Sequence, residues 1–186
     1  MKTDYLKVND DIKLYLPRMT FAPAIFKLID SQRDYLSPYV PMATFCKTEK
    51  EFKKILKTIQ ITNQSKRSLI TYLFYQEELI GSIGFIHMDH KHASAELGYW
   101  LSADFQGRGI ISTSCQRLID YGFKHLDLHR ICVKIIPDNE KSLRVPERLG
   151  FEKEGVLREA FMTGERFYDL AIFSLLRPVS GDGTWI

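Results

Sequence analysis

The chain has 186 residues, of which 45% are hydrophobic and 26% are charged, and this composition predicts a packed globular protein rather than a disordered one. Its formal net charge of +3 is small and evenly mixed along the chain, which argues against nucleic acid binding but leaves a mildly basic protein able to attract a phosphorylated ligand. No linker, repeat or low-complexity segment divides the sequence, so we expect one domain over residues 1–186.

The cysteines and the N-terminal sequence indicate the cellular compartment in which the protein is expected. Cys46, Cys115 and Cys132 are odd in number and form no Cys-x-x-Cys pair, so we expect reduced thiols with structural roles. The N-terminus contains no apolar signal segment, and no run approaches the ~20 apolar residues that span a bilayer. The sequence therefore predicts a cytoplasmic protein that does not associate with a membrane.

The first elements are a strand and a helix. Ile12–Leu16 alternates apolar and polar residues, which is typical of a strand. Apolar residues at helical spacing then run from Phe21 to Ile29, with Thr20 as the expected N-cap and Pro23 in the first helical turn.

A proline-rich segment and a second helix follow. Residues 34–45 contain two prolines and several aromatic residues, and we expect an ordered loop rather than a helix. Thr48 and Glu51 have the spacing of a capping box. An apolar face begins at Phe52, so a helix is predicted from this point.

The second half of the chain predicts most of the sheet. Three β-rich runs separated by short turns indicate an antiparallel meander. A helix and another strand follow the third run, and a strand–helix–strand crossover makes its two strands parallel neighbours. The predicted elements are strands at 68–75, 79–88 and 94–101, a helix from Ile110 to about Phe123, a strand at 129–136, a short helix near 145–149 that ends at Gly150, and strands near 155–161 and 168–176.

The stretch FQGRGI, residues 105–110, connects the third of those strands to a helix. Gly107 and Gly109 allow a sharp turn and the close approach of a ligand to the backbone. The first turn of the helix offers unpaired N–H groups and the positive end of the helix dipole. Gln106 and Arg108 supply further donors. The stretch predicts an anion site, and the alternative is a tight turn with solvated polar side chains.

Two other phosphate-binding loops do not fit this stretch. The pattern GxxxxGK[ST] of the P-loop is absent from the chain. The dinucleotide fingerprint GxGxxG lacks its third glycine, because Ile111, Ser112 and Thr113 follow at the nearest positions. Hydride transfer with a nicotinamide cofactor is therefore not supported.

The segment PDNEKSLRVPERLGF, residues 137–151, lies at the end of the strand that should flank the anion loop. Open α/β sheets bind ligands at this edge, which makes Asn139 and Ser142 candidate ligand contacts. The alternative is that both residues only cap a helix. Pro146 cannot lie deep in a helix, so the helix is expected to start near Ser142 or to be distorted there.

Together these motifs resemble the GNAT acetyltransferases, and within them the RimJ/RimL-type branch that acetylates protein N-termini, including those of ribosomal proteins. The resemblance covers nearly the whole chain from about Asp10, and one departure is Ile111, where the superfamily usually has a small residue. The stretches that carry it are ELGYWLSADFQGRGI at 96–110, IDYGF at 119–123, HRICVKIIPDNEKS at 129–142, ERLGF at 147–151 and KEGVLRE at 153–159.

The resemblance implies a fold, a donor and a donor site. The fold is a mixed α/β (α+β) one, with a mostly antiparallel twisted sheet of about seven strands, four helices and a parallel strand pair that splays at the acetyl-CoA site. The donor is acetyl-CoA, with its pyrophosphate on the loop and its pantetheine beside the preceding strand. The implied coenzyme A contacts are Trp100, Leu101, Ser102, Gln106, Gly107, Arg108, Gly109, Ile110, Ile111, Ser112, Asn139 and Ser142.

The resemblance also bears on catalysis, since an amine can attack a thioester without an enzyme nucleophile. Ser142 is the candidate general acid for the departing thiolate, and backbone N–H groups near Trp100 are candidates for the oxyanion. Glu96 is the candidate base, and its alternative role is an ion pair with a neighbouring strand. Glu159 is the second candidate base, because related enzymes carry a glutamate near it, although the aligned position here is Phe161.

The acceptor site is expected near the 34–45 segment, with Tyr35, Tyr39 and Glu159 as candidate contacts. The alternative for the two tyrosines is a hydrophobic lid over the helices. His87, His90 and His92 lie near a hairpin turn without a supporting carboxylate or cysteine, so no metal site is predicted.

Three hypotheses for the function follow. The first is an N-acetyltransferase whose acceptor is a protein N-terminal α-amine or, alternatively, a small-molecule amine such as a polyamine or an aminoglycoside. The second is a module that binds acyl-CoA without turnover. The third is a structural domain with an empty loop. A homodimer is a further expectation from the resemblance.

Overall fold

One mixed sheet organises the protein. The computed structural model describes residues 5–178, and the eight strands in this range form a sheet in the order β1-β2-β3-β4-β5-β6-β8-β7. All neighbouring strands are antiparallel except β5 and β6. The strands are β1 (Tyr5–Lys7), β2 (Ile12–Tyr15), β3 (Leu69–Tyr75), β4 (Glu78–Asp89), β5 (Ser94–Leu101), β6 (Arg130–Ile135), β7 (Glu152–Thr163) and β8 (Arg166–Leu176).

Helices cover both faces of this sheet. One core, around Phe85, Leu118 and Ile119, lies between the sheet and α5. The other, around Ile25, Phe52 and the smaller helices, lies on the opposite face. The helices are α1 (Ala22–Ser31), α2 (Arg33–Leu36), α3 (Pro41–Phe45), α4 (Glu49–Gln64), α5 (Ile110–His125) and α6 (Glu140–Arg148), with short 3-10 turns at Met19–Phe21 and Ala103–Phe105.

The parallel pair β5–β6 separates along its length. The two strands are in register only from Ser94 opposite Arg130 to Glu96 opposite Cys132. Beyond Glu96, β5 continues to Leu101 without a partner on the β6 side within the described residues. One edge of β5 is therefore left open, and the predicted splay is confirmed.

Several sequence predictions match the structure. The antiparallel meander is β3, β4 and β5. Thr48 caps α4 by accepting from the Glu51 backbone N–H, and the Glu51 carboxylate accepts from the Thr48 N–H, which completes the predicted capping box. Gly150 follows α6 with a φ of 75°, as expected for a residue that ends a helix.

Other predictions need correction. Thr20 is not the N-cap of α1, because it lies inside a 3-10 turn and α1 begins after Phe21 without a side-chain cap. The 34–45 segment is not a plain loop: it contributes to α2 and forms α3, and Pro41 takes the first position of α3, where its missing N–H costs nothing.

The element counts also differ from the expected seven strands and four helices. The additional strand, β1, has only three residues and pairs with β2. The additional helices are α2 and α3, each of at most five residues. Within residues 5–178, no helix is both long and apolar enough to cross a membrane.

Candidate active site

The loop before α5 has the geometry of an anion site. Gly107 and Gly109 have φ values of 75° and 72°, a left-handed conformation that glycine adopts without strain. Gly109 is the N-cap of α5 and provides no side chain, so the N–H groups of the first helical turn face outward. Apart from the two chain neighbours of each glycine, no atom of residues 5–178 lies within 4 Å of a Cβ built at either position. A ligand therefore has direct access to the backbone here.

A cavity of about 460 Å³ opens over this loop, and we call it the loop cavity. Four basic side chains line it, and no carboxylate is among its described lining residues. Arg108 is held in place because its guanidinium lies 4.9 Å from the centre of the Phe105 ring and donates to the Asp104 carbonyl over 3.0 Å. The four basic residues are Arg108, Lys141, Arg144 and Arg148.

Three of these basic residues come from α6 and were not identified from the sequence. Lys141, Arg144 and Arg148 follow a spacing of three and four residues, which places them on one face of a helix. That spacing was visible in the sequence as a possible basic stripe. The sequence does not show that this stripe lines the same cavity as the loop, because that depends on how α6 packs.

Gln106 bridges the mouth of the loop cavity. Its side-chain amide donates to the Tyr35 hydroxyl from α2, and its side-chain oxygen accepts from the Lys141 ammonium over 2.7 Å. Partial burial raises the pKa of the Tyr35 phenol, which keeps the hydroxyl protonated. One glutamine thus connects α2, the loop and α6.

The start of α6 places Asn139 and Ser142 at the open edge of β5. The Asn139 side chain accepts from the Ser142 backbone N–H over 3.2 Å, so the predicted capping role is present. Both residues also line the loop cavity. The helix runs through Pro146, which cannot donate the usual backbone hydrogen bond to the Ser142 carbonyl four residues earlier. The Tyr99 hydroxyl from β5 donates to that carbonyl instead, over 3.1 Å.

A second cavity of about 380 Å³ lies on the α1/α4 face of the sheet, and we call it the sheet cavity. The two cavities meet at the gap between β5 and β6. Six residues line both of them: Tyr39, Val40, Tyr99, Trp100, Asn139 and Ser142.

Small residues on neighbouring strands make room for the sheet cavity. Ser82 lies opposite both Tyr72 and Trp100, and the adjacent row pairs Gly84 with Gly98. All five residues line the cavity. A side chain at Gly84 would collide with the backbone of β3, since its Cβ would lie 2.4 Å from a carbonyl oxygen. The absence of side chains at Gly84 and Gly98 leaves a depression in the sheet.

The sheet cavity is mostly apolar, and the charged residues among its described lining are Glu96 and Lys134. They form an ion pair between β5 and β6, with 2.7 Å between the Lys134 ammonium and the Glu96 carboxylate. This hydrogen bond raises the pKa of Lys134. The predicted alternative for Glu96, pairing with a neighbouring strand, is confirmed, and the same carboxylate faces the cavity.

Two hydrogen bonds connect elements that flank the sheet cavity, and their three residues are not among its described lining. The Thr163 hydroxyl at the tip of the β7–β8 hairpin donates to the Ser37 carbonyl over 3.0 Å. Thr44 at the end of α3 donates to the same carbonyl over 3.2 Å. We call these three residues the clasp. It joins the wall formed by α3 to the wall formed by the hairpin, where Phe161 lines the cavity.

Most of the predicted site residues lie around the two cavities. Of the twelve predicted coenzyme A contacts, Ser102 is the exception: it is buried, and its hydroxyl accepts from Gln32 over 2.7 Å. Gln32 also accepts from the Ala103 N–H over 2.8 Å, so it fixes the turn before the loop. The other eleven are Trp100, Leu101, Gln106, Gly107, Arg108, Gly109, Ile110, Ile111, Ser112, Asn139 and Ser142.

The three predicted acceptor contacts do not lie together in the structure. Tyr39 lines both cavities, whereas Tyr35 lines the loop cavity alone. Glu159 lines neither of them. It lies in an irregularity of β7, has a φ of 50°, and its N–H donates to the Asp169 carboxylate over 2.8 Å. The bulge therefore presents the Glu159 side chain to solvent.

No histidine or cysteine is among the described lining residues of either cavity, although His87 and Cys132 lie opposite Glu96 on β4 and β6. Within residues 5–178, no group of three His, Cys, Asp or Glu side chains is arranged to hold a metal ion. His90 lies in the β4–β5 turn, 2.6 Å from the Lys66 carbonyl. Cys46 and Cys115 are buried free thiols, and burial raises the pKa of both.

The comparison with known families is decisive at this point. Residues 13–152 match the model of the acetyltransferase (GNAT) domain. The chain belongs to the GNAT acetyltransferase family. The predicted family, fold class and enzyme class are thereby confirmed, and acetyl-CoA is the donor of a GNAT acetyltransferase. The loop cavity, with its basic residues, helix N-terminus and open strand edge, has the groups that such a donor needs.

Individual GNAT relatives agree with this assignment. The ribosomal-protein-serine acetyltransferase of Escherichia coli is 28% identical over 172 residues, which cover 92% of this chain and 96% of that protein. YdaF of Bacillus subtilis is 40% identical over 105 residues, and the match spans little more than half of either protein, 56% of this chain and 57% of YdaF. The crystal structure of the microcin C7 self-immunity acetyltransferase MccE, in complex with acetyl-CoA and AMP, has a TM-score of 0.89 and 32% identity, and covers 93% of this chain and 96% of MccE.

Proposed function

We propose that this GNAT protein transfers the acetyl group of acetyl-CoA to the α-amine of a protein N-terminus. The observation that carries the proposal is the meeting of the two cavities at Trp100 and Ser142, between the splayed strands β5 and β6. A donor bound in the loop cavity would bring its thioester to this gap. An acceptor amine would reach the same gap from the sheet cavity.

The loop cavity suits the donor. The N–H groups at the start of α5 and the four basic side chains favour a pyrophosphate, since both place positive charge at the same ligand. The open edge of β5 from Leu97 to Leu101 offers backbone groups that a pantetheine amide would pair with, as an added strand would. N–H groups on this edge near Leu101 are our candidates for the oxyanion.

In the proposed reaction, the acceptor nitrogen forms a bond to the acetyl carbon, and the bond from that carbon to sulfur breaks. Glu96 is the proposed base, directly or through water, for the proton of the attacking amine. The Ser142 hydroxyl is the proposed donor to the departing thiolate, which leaves as coenzyme A. A serine is a weak acid, so its contribution is that of a positioned hydrogen bond.

The charge in the sheet cavity favours an α-amine over a polyamine. An α-amino group has a reference pKa near ~8, against ~10.4 for lysine, so making it neutral at pH 7 costs ~3 kcal/mol less. One carboxylate is enough for this task. A polyamine would require several carboxylates, and the only one among the described lining residues, Glu96, is already paired with Lys134.

The test is an amine panel with acetyl-CoA in which released thiol is measured. We expect turnover with a short peptide that has a free α-amine, and none with the same peptide blocked at its N-terminus and bearing a lysine. Turnover only with spermidine or an aminoglycoside would show that the acceptor class is wrong. Tight acetyl-CoA binding by calorimetry without any turnover would instead support a sensor that binds acyl-CoA. Homodimer formation is a separate prediction, which sedimentation would test.

A further inference from the structure

The sheet cavity has a buried tyrosine, Tyr72, whose hydroxyl has no role in holding the fold together. Tyr72, in the middle of β3, is 1% exposed, and its ring packs among the buried residues beneath α1 and α4. It nevertheless lines the sheet cavity. Nothing in the run of strand residues LITYLFY marked Tyr72 as different from its neighbours.

The Tyr72 hydroxyl makes no hydrogen bond to any residue between 5 and 178, although buried tyrosines usually find a partner. Ser114 also has an unpaired hydroxyl, but that atom is sealed from solvent, whereas the Tyr72 hydroxyl is not. The hydroxyl is therefore the part of Tyr72 that reaches the cavity. Burial raises the pKa of this phenol, so it stays a protonated donor.

The position of Tyr72 relates it to the reaction gap. Tyr72, Ser82 and Trp100 form one row across β3, β4 and β5 on the same face of the sheet. The Ser82 hydroxyl donates to the Thr71 carbonyl over 2.8 Å. The Ser82 proton is therefore not shared with the Tyr72 hydroxyl. Trp100, at the other end of the row, lies where the two cavities meet.

We propose that the Tyr72 hydroxyl donates a hydrogen bond to the first peptide carbonyl of the acceptor. A peptide has a carbonyl two atoms from its α-amine, whereas an alkylamine or polyamine has none. Tyr72 is thus a specificity-determining residue that distinguishes the two classes of amine. This inference rests on the proposed function, because it assumes an acceptor in the sheet cavity.

The test uses a tripeptide with a free α-amine and an isostere in which a trans-alkene replaces its first amide. For the wild-type protein, KM should be about three- to tenfold higher for the isostere, as expected for one lost hydrogen bond. Tyr72→Phe should show this higher KM for both peptides, with KM for acetyl-CoA unchanged. Equal KM values for Tyr72→Phe and the wild type with the tripeptide would overturn the inference.

A matched control and a stability measurement separate recognition from folding. Tyr15 lies directly opposite Tyr72 on β2 but lines neither cavity, so Tyr15→Phe should leave KM unchanged. Tyr72→Phe should keep or raise the melting temperature, because no hydrogen bond within the protein is lost. A lower melting temperature with an unchanged KM would show a structural role and contradict the proposal.

Calorimetry distinguishes failure of this inference from failure of the proposed function. Tripeptide is titrated into the coenzyme A complexes of the wild type and of Tyr72→Phe. Binding that is weaker in Tyr72→Phe supports the role of the hydroxyl even if no acetyl group is transferred, in which case only the proposed function fails. Transfer by the wild type with equal binding by both proteins overturns the Tyr72 inference alone. Absence of both binding and transfer overturns both.

Discussion

The Tyr99 hydroxyl donates a hydrogen bond to the Ser142 carbonyl over 3.1 Å, in place of the backbone bond that Pro146 cannot provide. A strand residue therefore completes the first turn of a helix. The bond also ties β5 to α6 across the gap where the two cavities meet. The position of Ser142, the proposed donor to the thiolate, depends on it.

Tyr99→Phe should separate this bond from the packing of the ring. The Ser142 carbonyl loses its donor, and we expect the free energy of unfolding to fall by about 1 kcal/mol. We also expect kcat to fall, because Ser142 is no longer held. Denaturant unfolding and steady-state kinetics measure the two effects. Tyr121→Phe on α5 is the control, and an equal loss of stability in both variants would contradict a specific role for the Tyr99 hydroxyl.

Gly107→Ala should weaken donor binding by more than its cost in stability explains. Gly107 and Gly164 both have left-handed φ values, 75° and 60°, and open space around a built Cβ. Alanine at either position should therefore cost a similar ~1 kcal/mol of stability from backbone strain. Only Gly107 lies in the loop cavity. If calorimetry gives the same coenzyme A affinity for Gly107→Ala, Gly164→Ala and the wild type, the loop does not hold the pyrophosphate.

Replacing the arginines of α6 should weaken coenzyme A binding through lost charge. Arg144→Gln and Arg148→Gln should each raise the Kd about five- to tenfold at low salt, with a smaller effect at high salt because ions screen the interaction. Arg158→Gln on β7 removes the same charge outside both cavities and is the matched control. Calorimetry at two salt concentrations measures the effect, and a loss of affinity equal to that of the control would argue against direct phosphate contacts.

Ser142→Ala and Ser112→Ala should change different kinetic parameters. Ser142 lies at the meeting point of the cavities, so its loss should lower kcat by about tenfold while KM for acetyl-CoA stays within about twofold. Ser112 lines the loop cavity alone, so its loss should raise KM for acetyl-CoA and leave kcat unchanged. An unchanged kcat in Ser142→Ala would remove that residue from catalysis.

Because of Glu154, the stability of the β6–β8–β7 edge should decrease as the pH falls. Hydrogen bonds from Arg130 and Ser174 lower the pKa of Glu154 from 4.5 to about 2. A lowered pKa stabilises the fold above 4.5, and this stabilisation is lost as the pH falls toward 2. The pair is partly exposed, so we expect only about 1 kcal/mol after solvent screening.

Denaturant unfolding between pH 7 and pH 3 measures this dependence. Glu154→Gln should lose less stability than the wild type on acidification. Glu152→Gln, on the same strand and also exposed, should follow the wild type. Parallel curves for Glu154→Gln and the wild type would show that the ion pair does not contribute.

Local patterns in the sequence predicted the backbone geometry around the loop cavity. The glycines at 107 and 109, the capping box at Thr48 and the alternation in β3–β5 each act through nearest neighbours, so a short stretch contains the whole signal. The loop cavity follows from such signals, because a strand, two glycines and a helix N-terminus are consecutive in the chain.

The sheet cavity could not be predicted in this way, since it depends on contacts between distant residues. The Glu96–Lys134 pair needs the register of β5 and β6, and the Tyr72 hydroxyl matters only because the small residues Ser82 and Gly84 lie beside it. The basic face of α6 needs the helix to continue through Pro146, which the sequence alone argues against.

The clasp of Ser37, Thr44 and Thr163 has a mechanical consequence. The Thr163 hydroxyl at the hairpin tip contacts both the Ser37 carbonyl and the Thr44 hydroxyl of the α2–α3 segment, so two elements that carry lining residues of the sheet cavity are joined to each other. Moving the hairpin tip away from the α2–α3 segment would break the contacts of the Thr163 hydroxyl with the Ser37 carbonyl and with the Thr44 hydroxyl, so a bulky acceptor would meet more resistance than a slender chain end. Under the proposed function, these contacts would add selection by size for the free end of a polypeptide, independently of any group that recognises its chemistry.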